Sequence, residues 1–275
     1  MTTHLVTFSD FSMNRAAVLC MNSATIQGVD YVGYWPHDKP SNHSRRRGTG
    51  LKQTTFYKHN EVLLSQPRGL GYWAWKPYII EKSMRSLSDG DILIYSDAGV
   101  EFIAPVSHII ERMDQDVFLF GNNWPHYAWC KRDVVDEVWL KSTASSLVDA
   151  MDYHSTWDRF NKQVQASVIF FRVSDYSRTF VAEWLKWCLF EGGRLIDDSP
   201  SRAANHPEFQ ENRHDQAILT TMAYREGLRL HYWPSVYNRG GSPVFIYEKL
   251  PEYAGDDYPS PLFSHHRLRD WEWPA

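Results

Sequence analysis

The chain has 275 residues, 43% of them hydrophobic and 23% charged, with a formal net charge of -4. That length holds one large α/β domain or two small ones with a proper core. The acidic balance argues against nucleic-acid binding, which calls for a basic domain, and no apolar run approaches the roughly 20 residues needed to cross a bilayer.

Cys20, Cys130 and Cys188 are far apart and odd in number. They form no disulfide or metal pattern, which implies a reducing compartment. The first residues enter a strand without a signal peptide or anchor. A cytoplasmic location follows, with any membrane contact peripheral. Aromatic residues make up 15% of the chain, including 12 Trp. Their faces can pack on the C–H faces of sugars, or simply fill a Trp-rich core.

In chain order, residues 4–8 read as a strand and Ser12 as the cap of a helix to about Gln27. Residues 31–35 form a second strand. Residues 36–55 contain Arg45-Arg46-Arg47-Gly48 and no apolar period, so they read as a loop. Such a basic loop is a solvated surface, or a lid over a diphosphate. A helix covers residues 56–65. Pro77 suits the first turn of another that runs to Leu87. Ile92 to Tyr95 is a short apolar strand of the kind buried in a parallel sheet. A helix at 105–113, a strand at 117–120, a strand at 166–172 and a helix at 180–190 follow. The last expected elements are a helix at 214–227 and a strand at 228–233. The tail from Pro234 is rich in Pro, Gly and aromatics and reads as irregular.

Strands alternating with helices predict a mostly parallel sheet with right-handed crossovers, flanked by helices. Such sheets take ligands at the carboxyl ends of their strands. Two ends stand out: Thr7-Phe8-Ser9-Asp10, and Ser96-Asp97-Ala98-Gly99. A carboxylate just past a buried strand can take a hard cation that bridges a diphosphate, or be a solvated turn residue. Gly99 allows close approach of a ligand. Upstream, Arg68-Gly69-Leu70-Gly71-Tyr72-Trp73-Ala74-Trp75-Lys76-Pro77 combines glycines, aromatics and two cations. Arg68 can grip an oxyanion bidentately, and Lys76 offers a point charge.

The order of these motifs resembles GT-A-fold glycosyltransferases. The segment Tyr95-Ser96-Asp97-Ala98-Gly99 looks like a variant of their Asp-x-Asp motif. Together with residues 71–78 it is similar to bacterial and chlorella-virus glycosyltransferases. Gln165 to Phe171, His214-Asp215-Gln216 and Val236-Tyr237-Asn238 more distantly resemble segments of the glycogenin and lipooligosaccharide galactosyltransferase group. His265-His266 falls where that group carries a late metal-binding histidine.

The resemblance covers about residues 4–267 and implies one GT-A-like domain over 1–275. Its donor-nucleotide half spans about 1–120 and its acceptor and sugar half about 121–275. It implies transfer from a nucleotide-diphosphate sugar, UDP favoured, to a glycan or other hydroxyl acceptor, as in polysaccharide biosynthesis. Thr7, Phe8, Ser9, Asp10, Arg68, Trp75, Lys76, Ser96, Asp97, Ala98 and Gly99 would face the donor. Asn122, Asn123, Trp124, Gln165 and Asn238 would meet the sugar or acceptor. Mn²⁺ or Mg²⁺ would be held by Asp97 with His265 or His266. Asp215 and Gln216 would be catalytic, either with Asp215 as the base of an inverting reaction or with both supporting a retaining one, which the Asp-Gln likeness favours. Without the resemblance, Asp215 reads sooner as a helix-start carboxylate and the histidines as surface residues. The second motif aspartate is replaced by Gly99, which weakens a metal site built on the strand alone.

Two other readings fit the same residues. A sugar-phosphate nucleotidyltransferase also uses an α/β sheet and a metal, but carries a Gly-rich amino-terminal loop that residues 7–14 lack. An inactive carbohydrate-binding protein of the same fold would also tolerate Gly99. A metallohydrolase built on His214, His265 and His266 lacks a compact histidine pair.

Overall fold

The expected first strand runs Thr3–Ser9 (β1), and its neighbours follow from the same apolar patterning. The computed structural model describes residues 1–38, 50–140, 161–237, 244–246, 249–258, 261–266 and 269. The Arg45 to Arg47 loop and Asn238 lie outside the described residues.

After β1 the chain forms α1 (Asn14–Ile26) and β2 (Tyr31–Pro36). Asp10, not Ser12, caps the turn before α1: its Oδ1 accepts from the Ser12 amide at 2.8 Å. The helix expected over 56–65 is two pieces, α2 (Thr55–His59) and α3 (Glu61–Leu64), parted at Asn60. Then come α4 (Trp75–Met84), β3 (Ile92–Asp97), β4 (Val100–Phe102), α5 (Ser107–Ile110) and β5 (Val117–Gly121). The described chain resumes with β6 (Val168–Arg172), α6 (Asp175–Cys188), α7 (Asp215–Arg225) and β7 (Leu230–Tyr232). The tail carries three short strands: β8 (Ser235–Tyr237), β9 (Val244–Phe245) and β10 (Phe263–His265).

The central sheet has the order β2-β1-β3-β6-β5-β7. β1 pairs parallel with β2 and β3, and β5 with β7. β6 pairs antiparallel with both neighbours and is the one reversed strand of the six. A smaller sheet, β4-β10-β8-β9, sits beside it and is built mainly from the tail.

Both faces of the central sheet are covered, and strand alternation sorts its residues between them. Tyr95, Leu93, Ile169, Phe171, Val117 and Leu119 pack with α4, α6 and α7. Ile92, Ile94, Val168, Phe170, Phe118 and Phe120 face α1 and the smaller sheet's Phe102 and Phe263. α6 buries Phe180, Val181, Trp184 and Cys188, spaced for one helical face. Its start is fixed by Ser174, whose side chain caps Ser177 while Ser177 caps in return. Among the described residues no helix is long and apolar enough to cross a membrane.

Candidate active site

The carboxyl ends of β1, β3 and β5 and the start of the reversed β6 lie on one edge of the sheet. A cleft of about 560 Å³ opens there. Its floor is made where three elements meet. Asp97 ends β3 and, two residues after Tyr95, shares the Tyr95 face that packs on α4. Lys76 sits in the first turn of α4 and Asp215 in the first turn of α7.

The Lys76 ammonium, 3% exposed, lies 3.6 Å from Asp97 Oδ1 and 3.3 Å from Asp215 Oδ2. The Asp215 contact is an ion pair off the hydrogen-bonding line, since that oxygen accepts no hydrogen bond. Lys76 Nζ donates instead to the Ala166 carbonyl at 3.2 Å and stands 5.1 Å from the centre of the Tyr95 ring. Burial disfavours the ammonium, but Asp215 and Asp97 outweigh it and hold its pKa above the ordinary lysine value. Burial pushes the Asp215 carboxyl up to about 6; Lys76 opposes that shift and Asp97 adds to it. The buried Tyr95 hydroxyl donates to Asp97 Oδ1 at 2.5 Å, and burial and Asp97 hold its pKa well above the usual value.

One wall of the cleft comes from the Gly-rich segment. Residues 69–73 all have positive φ: Gly69 59°, Leu70 52°, Gly71 93°, Tyr72 53° and Trp73 61°. This is a left-handed turn, which costs about 1–2 kcal/mol for each non-glycine residue and, like other strained backbone, is found at binding sites. Crowding leaves room only for glycine at two places. A Cβ on Gly71 would lie 2.6 Å from Leu64 Cα, and one on Gly69 2.4 Å from the Trp73 ring. Trp75 donates to the Gly69 carbonyl at 2.9 Å and stacks on Phe8 at 3.8 Å.

On the opposite side, Trp124 is 40% exposed and stacks on Trp129 at 4.8 Å. The Arg213 guanidinium lies 5.1 Å and 4.4 Å from the two ring centres. Asn122 Oδ1 accepts from the Trp124 amide at 3.0 Å and fixes the turn. His214 has φ 54°, lies flat against Tyr72 at 5.3 Å, and donates from Nδ1 to the Ile196 carbonyl at 2.5 Å. Burial holds its pKa below the ordinary histidine value.

Most of the expected residues meet at this cleft. Phe8, Ser9, Asp10, Arg68, Trp75, Lys76, Asp97, Ala98, Gly99, Asn122, Trp124, Gln165, Asp215, Gln216 and His265 line it. Thr7 and Ser96 do not. They pair with each other across β1 and β3 and belong to the other face, where Cys20 Sγ donates to Ser96 Oγ at 3.6 Å. Asn123 and His266 also fall outside the lining. Arg68 lines the cleft with its charge already engaged. It donates to Asp198 at 3.2 Å and Glu211 at 3.0 Å, so it braces two loops rather than standing open to an oxyanion. Asp197 likewise binds Lys131, at 2.9 Å.

The expected metal site pairs Asp97 with His265 or His266. Among the described residues no three His, Cys, Asp or Glu side chains converge where they could hold an ion. β10 pairs with β4 and brings His265 opposite Val100, so His265 shares the cleft with Asp97. His266 donates its amide to the Gly99 carbonyl at 3.1 Å. The fit to a divalent ion is partial: two side chains in one cleft, one of them already facing an ammonium.

Sequence reasoning passed over Gln163, Arg213, Met13 and Arg269, gave no role of their own to Tyr95 and Trp73, and named His214 only as a ligand in a metallohydrolase. Tyr95 carried a signal, since strand alternation puts it on the Asp97 face. Arg269 carried none; it reaches the cleft from the tail and donates to Ser12 Oγ at 2.7 Å.

No protein-family model matches the sequence, and no curated protein does. Among solved structures, the bifunctional glycosyltransferase WbbM, without ligand, superposes with a TM-score of 0.50 at 10% identity. The match covers 98% of this chain and 47% of WbbM, so the chain spans about half of that protein. The chain has a GT-A-type glycosyltransferase fold. Two further structures have TM-scores of 0.48. One is the galactosyltransferase LgtC with donor and acceptor sugar analogs, at 12% identity over 96% of this chain and 87% of that one. The other is mouse xyloside xylosyltransferase 1, at 9% identity over 97% and 98%.

Proposed function

We propose that the protein is a glycosyltransferase that moves a sugar from a nucleoside diphosphate donor, a UDP-sugar by preference, to a hydroxyl of a glycan or other small acceptor. The observation that carries this is the meeting of Lys76, Asp97 and Asp215 at the ligand-binding edge of a glycosyltransferase-type sheet. Residues up to about 120 supply the nucleoside and diphosphate side. Residues from about 121 supply the sugar and acceptor side.

Transfer breaks the bond from the anomeric carbon to a diphosphate oxygen. Negative charge grows on the leaving group while the sugar becomes oxocarbenium-like. The buried Lys76 ammonium opposes the negative charge from a site that water cannot screen. Asp215 and Gln216 stand on the side of positive charge, and the Asp-Gln likeness favours retention of configuration. In an inverting reaction Asp215 would take the acceptor proton; its carboxyl, at about 6, is ionised at neutral pH and basic enough for that. An NMR comparison of donor and product anomers decides between the two, and an inverted product rules out retention.

A divalent ion, Mn²⁺ or Mg²⁺, is part of this reading. Asp97 and His265 would hold it, and when bound it supplies further positive charge to the departing diphosphate.

A thermal-shift screen of nucleotides and nucleotide sugars, with and without Mn²⁺, tests the reading, because a ligand of the native state raises the midpoint by mass action. A nucleoside diphosphate should raise the midpoint of the wild type and leave Asp97→Ala unmoved. An equal shift in Asp97→Ala would contradict the assignment of Asp97.

A further inference from the structure

Gln216 lines the cleft beside Asp215, and an amide there can show a sugar either of two opposite faces. Its oxygen is electron-rich and accepts hydrogen bonds; its nitrogen carries partly positive hydrogens and donates them. Which end faces the cleft decides whether Gln216 attracts or repels an electron-poor anomeric carbon. The amide itself does not favour either end, so a neighbour must set it.

That neighbour is Gln163, which is fully buried in the segment leading to β6. Its backbone is fixed by β5: the Asn122 amide donates to the Gln163 carbonyl at 2.8 Å, and Val164 bridges Gly121. Its side chain reaches the Trp129 carbonyl, 3.4 Å from Nε2. A carbonyl only accepts, so the nitrogen end of Gln163 must turn to it. The oxygen end then accepts from Gln216 Nε2 at 2.6 Å. The order is thus Trp129 carbonyl, Gln163 amide, Gln216 amide, each link fixed by the one before. Gln216 Oε1 is left for the cleft, with no hydrogen-bond partner among the described residues.

We propose that Gln163 is a positioning residue that locks Gln216 with its carbonyl oxygen towards the sugar of the donor. The oxygen then stabilises positive charge on the sugar ring in the transition state. This rests on the glycosyl-transfer reading and adds a residue that never touches the substrate. Reversing the amide would put N–H groups against the same charge.

The test is a double-mutant cycle, with donor turnover and thermal unfolding measured on each protein. Gln163→Met keeps the volume but offers only a weak thioether acceptor, so Gln216 is free to turn. Its kcat should fall about tenfold or more, with the donor KM within about twofold of wild type, because only the transition state uses the orientation. Gln163→Glu still accepts from Gln216 and should hold kcat within about threefold of wild type. In a Gln216→Ala background Gln163→Met should cost nothing more. An unchanged kcat in Gln163→Met, or the same loss with Gln216 already removed, overturns the proposal while leaving the glycosyltransferase reading intact. If Gln163→Met does not fold, a kcat loss in Gln163→Glu as large as in Gln216→Ala overturns it equally. A wild type that turns over no nucleotide sugar sinks both.

Discussion

Lys76 carries one positive charge between two carboxylates, so the ionisation of Asp215 depends on it. Burial raises the Asp215 pKa to about 6 even against the lowering effect of Lys76. Lys76→Gln removes that opposition, so the Asp215 carboxyl should titrate at higher pH than in the wild type, read by carboxyl-carbon NMR. An unmoved or lowered value would contradict the ion pair. In the proposed reaction Asp215 acts in its ionised form, so kcat should fall as pH drops through about 6. Stability runs the other way. The folded state holds the Asp215 proton more tightly than the unfolded chain, whose value is near 3.8. Between those values this group makes the fold less stable as pH rises. Tyr95→Phe removes the donor that fixes Asp97 Oδ1. A hydrogen bond to a charged group contributes about 1.5–3 kcal/mol, so kcat/KM should drop about tenfold or more. Asp97 was legible because it closes an apolar strand. The use of Arg68 was not, because the carboxylates that occupy it are 130 and 143 residues away.

At the scale of elements, the left-handed turn at 69–73 shapes the wall of the cleft. Gly71→Ala places a methyl on the Leu64 backbone and should cost about 2 kcal/mol or more in chemical denaturation. Gly90 has φ 87° but nothing within 4 Å of a Cβ. Gly90→Ala should therefore cost only the backbone preference, about 1 kcal/mol. Equal losses at the two positions would show that crowding at Gly71 is not decisive. The two glycines flagged a tight turn in the sequence. Its left-handed continuation through Tyr72 and Trp73 left no mark, because those residue types do not favour it. The short tail strands were hidden for a related reason. At two or three residues they are too brief to show alternation, and their partners in the sheet specify them.

Across the whole molecule, strand faces and sheet order were legible to different degrees. Apolar runs at 92–95, 117–120 and 166–172 announced buried strands. They carry no direction, so the reversal of β6 was not readable. That reversal brings Gln165, Ala166 and Ser167 to the same edge as Asp97, whose amide donates to the Ser167 carbonyl at 2.8 Å. The tail is tied to the sheet by Asp256. It accepts from His231 at 3.0 Å, from the Tyr232 amide at 2.8 Å and from Arg229 at 2.9 Å. Burial works against its carboxylate, but His231 and the Tyr232 amide outweigh it and hold the pKa below the usual 3.8. Asp256→Ala should cost about 3 kcal/mol, because it strands buried partners. That stabilisation should be complete above 3.8 and fade as pH falls through the lowered value; a loss that persists unchanged in strong acid would contradict it.

The central claim of the proposed function is that Asp97 and Asp215 serve transfer from a nucleotide sugar. Release of nucleoside diphosphate from a panel of nucleotide sugars, with acceptor glycans and divalent ions present, measures it directly. The account predicts turnover of at least one donor by the wild type, reduced by about a hundredfold or more in Asp97→Asn and in Asp215→Asn. Turnover undiminished in both variants, or none by the wild type with any donor, would contradict it.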